Sequence, residues 1–152
     1  MMSIIIRYGT PDDGEQLSML VDLYREFYGE EINHSRSLEF VRERLYLGDS
    51  KVIVAVSGGK IVGFVQLFPS FSTVTLQRLW ILNDLYVLED FRSRKVGLKL
   101  LESAKAFALE HGAKELFIEG AVSNARARAV YERFGFVENI EYKYYHLPLN
   151  SL

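Results

Sequence analysis

The feature that most restricts the fold of this chain is an apolar run from about Thr75 to Val87, with Leu79-Trp80-Ile81-Leu82 unbroken at its centre. Gln77-Arg78 precede that centre, and after it Asn83-Asp84 is the one polar interruption before Val87. A strand this apolar has no face to give to water, so the run predicts a central strand covered on both sides. A sheet covered on both faces needs helices between its strands, and the rest of the chain offers that alternation. Ile4 to Arg7 reads as a short strand. Thr10-Pro11-Asp12-Asp13 then reads as a helix start, with Thr10 as cap, Pro11 in the first turn and two acids at the positive end of the dipole. Leu17, Leu20, Val21, Tyr24 and Tyr28 recur on one helical face.

A second helix is expected after Ser35 or Ser37, with Leu38, Val41 and Leu45 inward and Gly48-Asp49 ending it. Val52 to Val56 and Ile61 to Phe68 predict a hairpin, turned by Gly58-Gly59 and closed by Pro69. After the apolar run, Val96, Leu100, Ala104, Phe107 and Ala108 form a helical stripe that Gly112 terminates. A strand over Glu115 to Val122, a helix from Ser123-Asn124 to Phe134 and a last strand within Glu141 to Leu149 complete the order. The expected fold is α/β: a mixed central β-sheet flanked by helices, in one domain spanning residues 1–152.

Composition removes whole classes of function. The chain has no cysteine, so it holds no disulfide, thiolate nucleophile or thiolate metal site. A net charge of -2 argues against a general nucleic-acid binder. No stretch reaches the ~20 apolar residues that span a bilayer, and Met1 to Arg7 is too briefly apolar for a signal peptide. A cytoplasmic protein, with neither nucleic acid nor membrane as partner, is the expectation. His34, His111 and His146 show no ligand spacing, so no metal is expected.

Two segments carry chemistry. In Leu85-Tyr86-Val87-Leu88-Glu89-Asp90-Phe91-Arg92-Ser93-Arg94-Lys95-Val96-Gly97-Leu98 a strand passes through a short loop into a helix. The first turn of a helix exposes unpaired N–H groups, which suit a phosphate. Arg92, Arg94 and Lys95 crowd that turn, with Lys99 one turn on, against the dipole's preference for acids. A bound anion removes the conflict; a solvated basic turn is the plainer alternative. In the second segment Asn124 and Tyr131 lie seven residues apart, on one helix face. A tyrosine there can protonate a leaving group or simply pack as an ordinary aromatic.

Together these segments resemble the GNAT superfamily of N-acetyltransferases. Arg92-Ser93-Arg94-Lys95-Val96-Gly97 follows its acetyl-CoA signature, and Asn124 to Phe136 ends in Tyr131-Glu132-Arg133-Phe134-Gly135-Phe136 at the expected distance. The resemblance implies the GNAT-type acyl-CoA N-acyltransferase fold and an acetyl-CoA-dependent N-acetyltransferase. It implies that the backbone of Leu85, Tyr86 and Val87 holds pantetheine between splayed parallel strands, with an N–H near Leu85 or Tyr86 for the oxyanion. The amides of Ser93, Arg94, Lys95, Val96, Gly97 and Leu98, with the Arg92 cation, hold pyrophosphate, and Asn124 contacts the cofactor arm. Tyr131 is the acid for the departing thiolate. Lys95 stands where the signature has its first glycine; the expectation is a helical backbone there with the side chain turned outward.

Asp84 is the first candidate for the base, and Glu119 the second, beside a water relay. The alternative for Asp84 is a backbone hydrogen-bonding role at a bulge. Leu82-Asn83-Asp84-Leu85-Tyr86-Val87 resembles the corresponding strand of spermidine/spermine acetyltransferases, but Asn83 replaces their glutamate, which weakens a polyamine assignment. Glu26, Glu30 and Glu31 either attract a cationic substrate or form a solvated acidic helix end, and Phe68, Phe71, Trp80 and Tyr86 either line an acceptor pocket or belong to the core. The absence of cysteine favours direct transfer in a ternary complex. The preferred acceptor is a primary amine on a small molecule. A protein lysine or N-terminus, and a non-catalytic CoA-binding regulatory module, remain as alternatives, and a homodimer is common in the family.

Overall fold

In the computed structural model of the chain, residues 3–120 and 123–149 are described. The element order is β1 (Ile4–Tyr8), a 3-10 turn (Pro11–Asp13), α1 (Gly14–Phe27), α2 (His34–Leu47), β2 (Lys51–Ser57), β3 (Lys60–Ser72), β4 (Gln77–Val87), a second 3-10 turn (Glu89–Phe91), α3 (Val96–Glu110), β5 (Glu115–Ile118) and α4 (Ala125–Phe134). They form two compact units, divided between Glu119 and Gly120.

The first unit is built on a five-stranded sheet in the order β1-β2-β3-β4-β5. The strands are antiparallel neighbours except for β4 and β5, which run parallel and are joined through α3. Gly58 and Gly59, at φ 56° and 78°, make the tight reversal between β2 and β3, as the sequence predicts. On one face, α1 and α2 bury Leu17, Leu20 and Val41 against Val52, Val54, Val56, Ile61 and Phe64. On the other, Leu100 of α3 lies close over Gly63, and Phe107 packs on Trp80 and Tyr8 at ring distances of 4.8 and 5.9 Å.

Local polar contacts set the helix starts. Thr10 caps the first turn as the sequence predicts, in a capping box with Asp13, whose buried carboxylate accepts the Thr10 N–H at 2.7 Å and both arms of the Arg7 guanidinium at 2.8 and 2.9 Å. The helix expected after Ser35 or Ser37 begins at His34, because Asn33 caps it by accepting the Arg36 N–H. Ser37 thereby turns inward, and Gly48 ends the helix at φ 62° as expected.

Three strand expectations are corrected. Pro69 does not close β3, which runs on to Ser72. Past Leu67 β3 has no β2 partner, and a proline is tolerated where one edge of a strand makes no ladder bonds. Second, β4 has a strand on each side, but it is β2 over Val52 to Ser57 and β3 over Ile61 to Leu67 whose two faces are buried. Along β4, Trp80 and Leu82 are buried while Leu79 and Ile81 are only half-buried. Third, the strand within Glu141 to Leu149 is not formed. Its alternating apolar residues fit a strand, yet no described residue pairs with that segment, and Tyr142, Tyr144 and Tyr145 are exposed. The strand expected over Glu115 to Val122 is found as Glu115–Ile118, and its last two residues lie outside the described residues. In the second unit, α4 runs from its Asn124 cap to Gly135 as expected. No helix among the described residues is long and apolar enough to cross a membrane.

Candidate active site

The site begins with one extra residue in β4. Gln66 pairs with Asp84, but the next residue, Leu67, pairs with Leu82, so Asn83 is a bulge. A bulge breaks the alternation of side chains along a strand and re-aims them. Trp80 therefore points to α3, whereas Asp84 and Tyr86 turn to the α1 face, where the Tyr24 ring lies 5.8 Å from that of Tyr86. Asp84 does not cap backbone amides there. Its carboxylate accepts hydrogen bonds from the Asn83 amide group at 3.0 Å and from the Tyr24 hydroxyl. Burial pushes the Asp84 carboxyl above the ordinary carboxylate range, against the pull of those two donors. Tyr24 is itself raised, first by burial and then by the Asp84 charge.

The backbone of the same strand supplies an edge. The Leu88 N–H bonds the Val62 carbonyl at 2.9 Å, which sets the alternation of the ladder. Tyr86 thus spends its backbone on Phe64 of β3, and Leu85 and Val87 turn their N–H and C=O groups outward. β5 pairs only with Leu79 to Leu82, so among the described residues no strand covers that outward edge. Of the three residues Leu85, Tyr86 and Val87, only the first and third present backbone groups to it. The Val87 carbonyl accepts from Arg92 Nε at 2.9 Å, with the guanidinium over the Tyr86 ring. Glu119, the second base candidate, is exposed just past the last paired residue of β5.

The chain then passes the second 3-10 turn and enters α3 through two left-handed residues, Ser93 at φ 69° and Lys95 at φ 61°. This corrects the expectation of a helical backbone at Lys95. The lysine occupies the conformation that a glycine adopts freely, at a cost of roughly 1 kcal/mol or more. Its side chain gives no cap, and the first helical bond runs from the Lys99 N–H to the Lys95 carbonyl. The N–H groups of Val96, Gly97 and Leu98 are left without intrahelical acceptors. Around them Arg92, Arg94, Lys95 and Lys99 form no ion pair among the described residues; Arg92 is held only by the Val87 carbonyl and the Tyr86 ring, and Arg94 lies over the Phe91 ring at 5.0 Å.

Between α1, α2 and the face of β2 to β4 lies a cavity of about 380 Å³. Phe68 lines it as expected. Two other aromatics named from the sequence do not: Phe71 is exposed under Arg78, and Trp80 belongs to the α3 face. Tyr86 packs beneath it on Tyr24 and Phe64. Glu26, Glu30 and Glu31 are absent from its walls, where Asp84 is the one acid among the described residues. Tyr24, Arg36 and Ser37 are site residues that sequence reasoning missed. Tyr24 sits within an apolar helical stripe, and nothing in that stripe signals that its hydroxyl meets Asp84.

In the second unit, the Asn124 side chain accepts the Ala127 N–H at 3.1 Å, so its oxygen serves the start of α4 and its amide group stays available. Tyr131 lies on the same helix, its ring 6.1 Å from Phe136 and beside Gly120.

The acetyltransferase (GNAT) family matches residues 17–136 of this chain. An N-acetyltransferase of Bacillus subtilis, YhfO, is 35% identical over 142 residues, covering 93% of this chain and 95% of that protein. The crystal structure of a probable acetyltransferase is 38% identical with a TM-score of 0.91, the match covering 97% of this chain and 99% of that one. An aminoglycoside N-acetyltransferase solved in complex with CoA shares the fold at 18% identity and a TM-score of 0.81, over 98% of this chain and 97% of that one. Sequence identity sustained over nearly the whole chain, on a sheet whose β4 edge and α3 start are built as described, makes this protein a member of the acetyltransferase (GNAT) family and an N-acetyltransferase.

Proposed function

We propose that this N-acetyltransferase moves the acetyl group of acetyl-CoA to a primary amine of a small molecule by direct attack in a ternary complex, with both units serving one domain. The observation that carries this reading is the outward edge of Leu85 and Val87 followed by the three unspent amides of Val96, Gly97 and Leu98. Gly97 supports the fit. A Cβ built on it would meet only Val87 Cγ2, at 4.0 Å, so the described chain does not itself require a glycine there. Glycine inside a helix costs about 0.5–1 kcal/mol against alanine, and a closely approaching phosphate accounts for its presence.

Bound along that edge, acetyl-CoA supplies an activated acetyl thioester. Arg92, Arg94, Lys95 and Lys99 supply charge for its phosphates, and the free amide group of Asn124 is available to its arm. Asp84 takes the proton that an alkyl ammonium must lose before its nitrogen can form the new C–N bond. Its raised affinity for a proton suits that task. The Leu85 N–H, turned outward, faces the charge that develops on the carbonyl oxygen. Tyr131 gives its hydroxyl proton to the sulfur as the C–S bond breaks and regains one from the second proton that the attacking nitrogen sheds, which leaves acetylated amine and free CoA. Tyr131→Phe is expected to lose acetylation while keeping acetyl-CoA binding and the fold, read by CoA release and calorimetry. Full activity in that variant removes Tyr131 from the acid role, and no CoA release with any amine refutes the reading.

A further inference from the structure

We propose that the acceptor of this enzyme is an amine that also carries a carboxylate, an amino acid in the simplest case, with its amine at Asp84 and its carboxylate at Arg36 and Ser37. The proposal rests on the acetyltransferase reading above and adds the class of acceptor.

The observation is the uneven chemistry of the 380 Å³ cavity, a size within the range of small-ligand sites. Asp84 lies on the sheet side, and three arginines, Arg25, Arg36 and Arg44, line the cavity from the helices. Two of these cations are already engaged. Arg44 is held by Asp49 at 2.9 Å and Glu43 at 3.1 Å, and Arg25 by Glu30 at 3.8 Å and the Glu31 carbonyl at 2.9 Å. Arg36 makes no ion pair among the described residues. Beside it in sequence, Ser37 is 4% exposed, lines the same cavity, and its hydroxyl has no hydrogen-bond partner among the described residues.

A buried hydroxyl without a partner calls for an explanation. A hydroxyl donor and an unengaged guanidinium on the wall of one cavity are donors that a carboxylate accepts from. Asp84 can receive an ammonium or the proton it sheds. A diamine, polyamine or aminoglycoside would instead bring further positive charge towards the unpaired Arg36, which like-charge repulsion disfavours. Between the charged groups, Phe40, Phe64 and Phe68 give the cavity apolar wall for a short carbon chain.

The test is a set of acceptors in matched pairs: glycine, L-lysine and short ω-amino acids, each against its own carboxamide, with cadaverine and an aminoglycoside added. The expected kcat/KM, followed by CoA release, is about tenfold or more higher for each acid than for its amide. In Arg36→Gln that ratio falls toward one, chiefly through KM for the acids, and Ser37→Ala lowers it in the same direction. Calorimetry of the amino acid alone gives the same loss of affinity in Arg36→Gln without relying on turnover. Arg36 is exposed, so the variant is expected to keep the wild-type circular dichroism. Equal rates for acids and amides, a preference for cadaverine or aminoglycoside, or a ratio unchanged in Arg36→Gln overturns the proposal while the acetyltransferase reading stands. Preference for aminoalkyl phosphonates overturns the carboxylate assignment. Failure of every amine to release CoA overturns the reading of function, and this proposal with it.

Discussion

Lys95 is a lysine in a glycine's conformation, and its replacement separates strain from charge. At φ 61° its Cβ crowds the backbone, which costs about 1–2 kcal/mol. Lys95→Gly removes that cost but adds freedom to the unfolded chain, worth roughly 0.4–1 kcal/mol in the other direction. The net expectation is a gain of about 1 kcal/mol, or a Tm rise of about 2–4 °C for a chain of this size. Lys95→Ala keeps the Cβ and therefore the strain, and because Lys95 is exposed with no ion pair among the described residues its expected change is within about 0.5 kcal/mol. Thermal unfolding of the three proteins side by side reads the difference. Acetyl-CoA affinity is expected to follow a different pattern, falling equally in the glycine and alanine variants and more at low salt, because both lose the same charge. Strain present in free and bound protein alike cancels from the affinity. A glycine variant no more stable than the alanine variant refutes the argument from backbone strain. A gain in affinity confined to glycine shows instead that binding demands a backbone which lysine resists.

Two carboxylates give opposite signs against pH. Asp84 is raised by burial, so the fold favours its protonated form, and that stability is present in acid and lost as pH rises through its folded value. Asp84→Asn should therefore unfold at a higher temperature than wild type at pH 7, with the gap closing below about pH 4, while kcat/KM falls by about 10²–10⁴. A lower Tm at neutral pH counts against the burial argument. Asp13 is lowered, chiefly by the Arg7 hydrogen bonds, so its contribution is present above the ordinary carboxylate range and lost as pH falls through its folded value. Asp13→Asn should cost about 1–3 kcal/mol at neutral pH and flatten the acid limb of a urea-unfolding series. An acid limb unchanged from wild type removes Asp13 from the acid sensitivity of the fold.

Much of this architecture was legible because its signals are local. Gly58-Gly59, Gly48 and Asn124 act through their own backbone or the next turn, and each sits where the sequence puts it. The cationic turn before α3 was legible for the same reason, since Arg92 to Lys99 are contiguous. Pro69 and the segment Glu141 to Leu149 were misread because a strand is defined by its neighbour. Whether a proline breaks a ladder bond, or an alternating run forms a strand at all, depends on residues far away in the chain.

The same division holds for the site. By itself the sequence determined the family, the cationic helix start and the candidacy of Asp84 and Tyr131, because each rests on a short run of residues with a chemical rationale. Only the tertiary structure decided what those residues can do. The bulge at Asn83 re-aims Asp84 toward Tyr24, the ladder leaves Leu85 and Val87 facing outward while Tyr86 does not, and the chain bends through Lys95 in a left-handed conformation. The cavity that sets Arg36 and Ser37 across from Asp84 joins two helices to three strands. No periodicity along the chain encodes that meeting, because burial and facing are properties of packed neighbours and come into being only when the sheet and its helices close together.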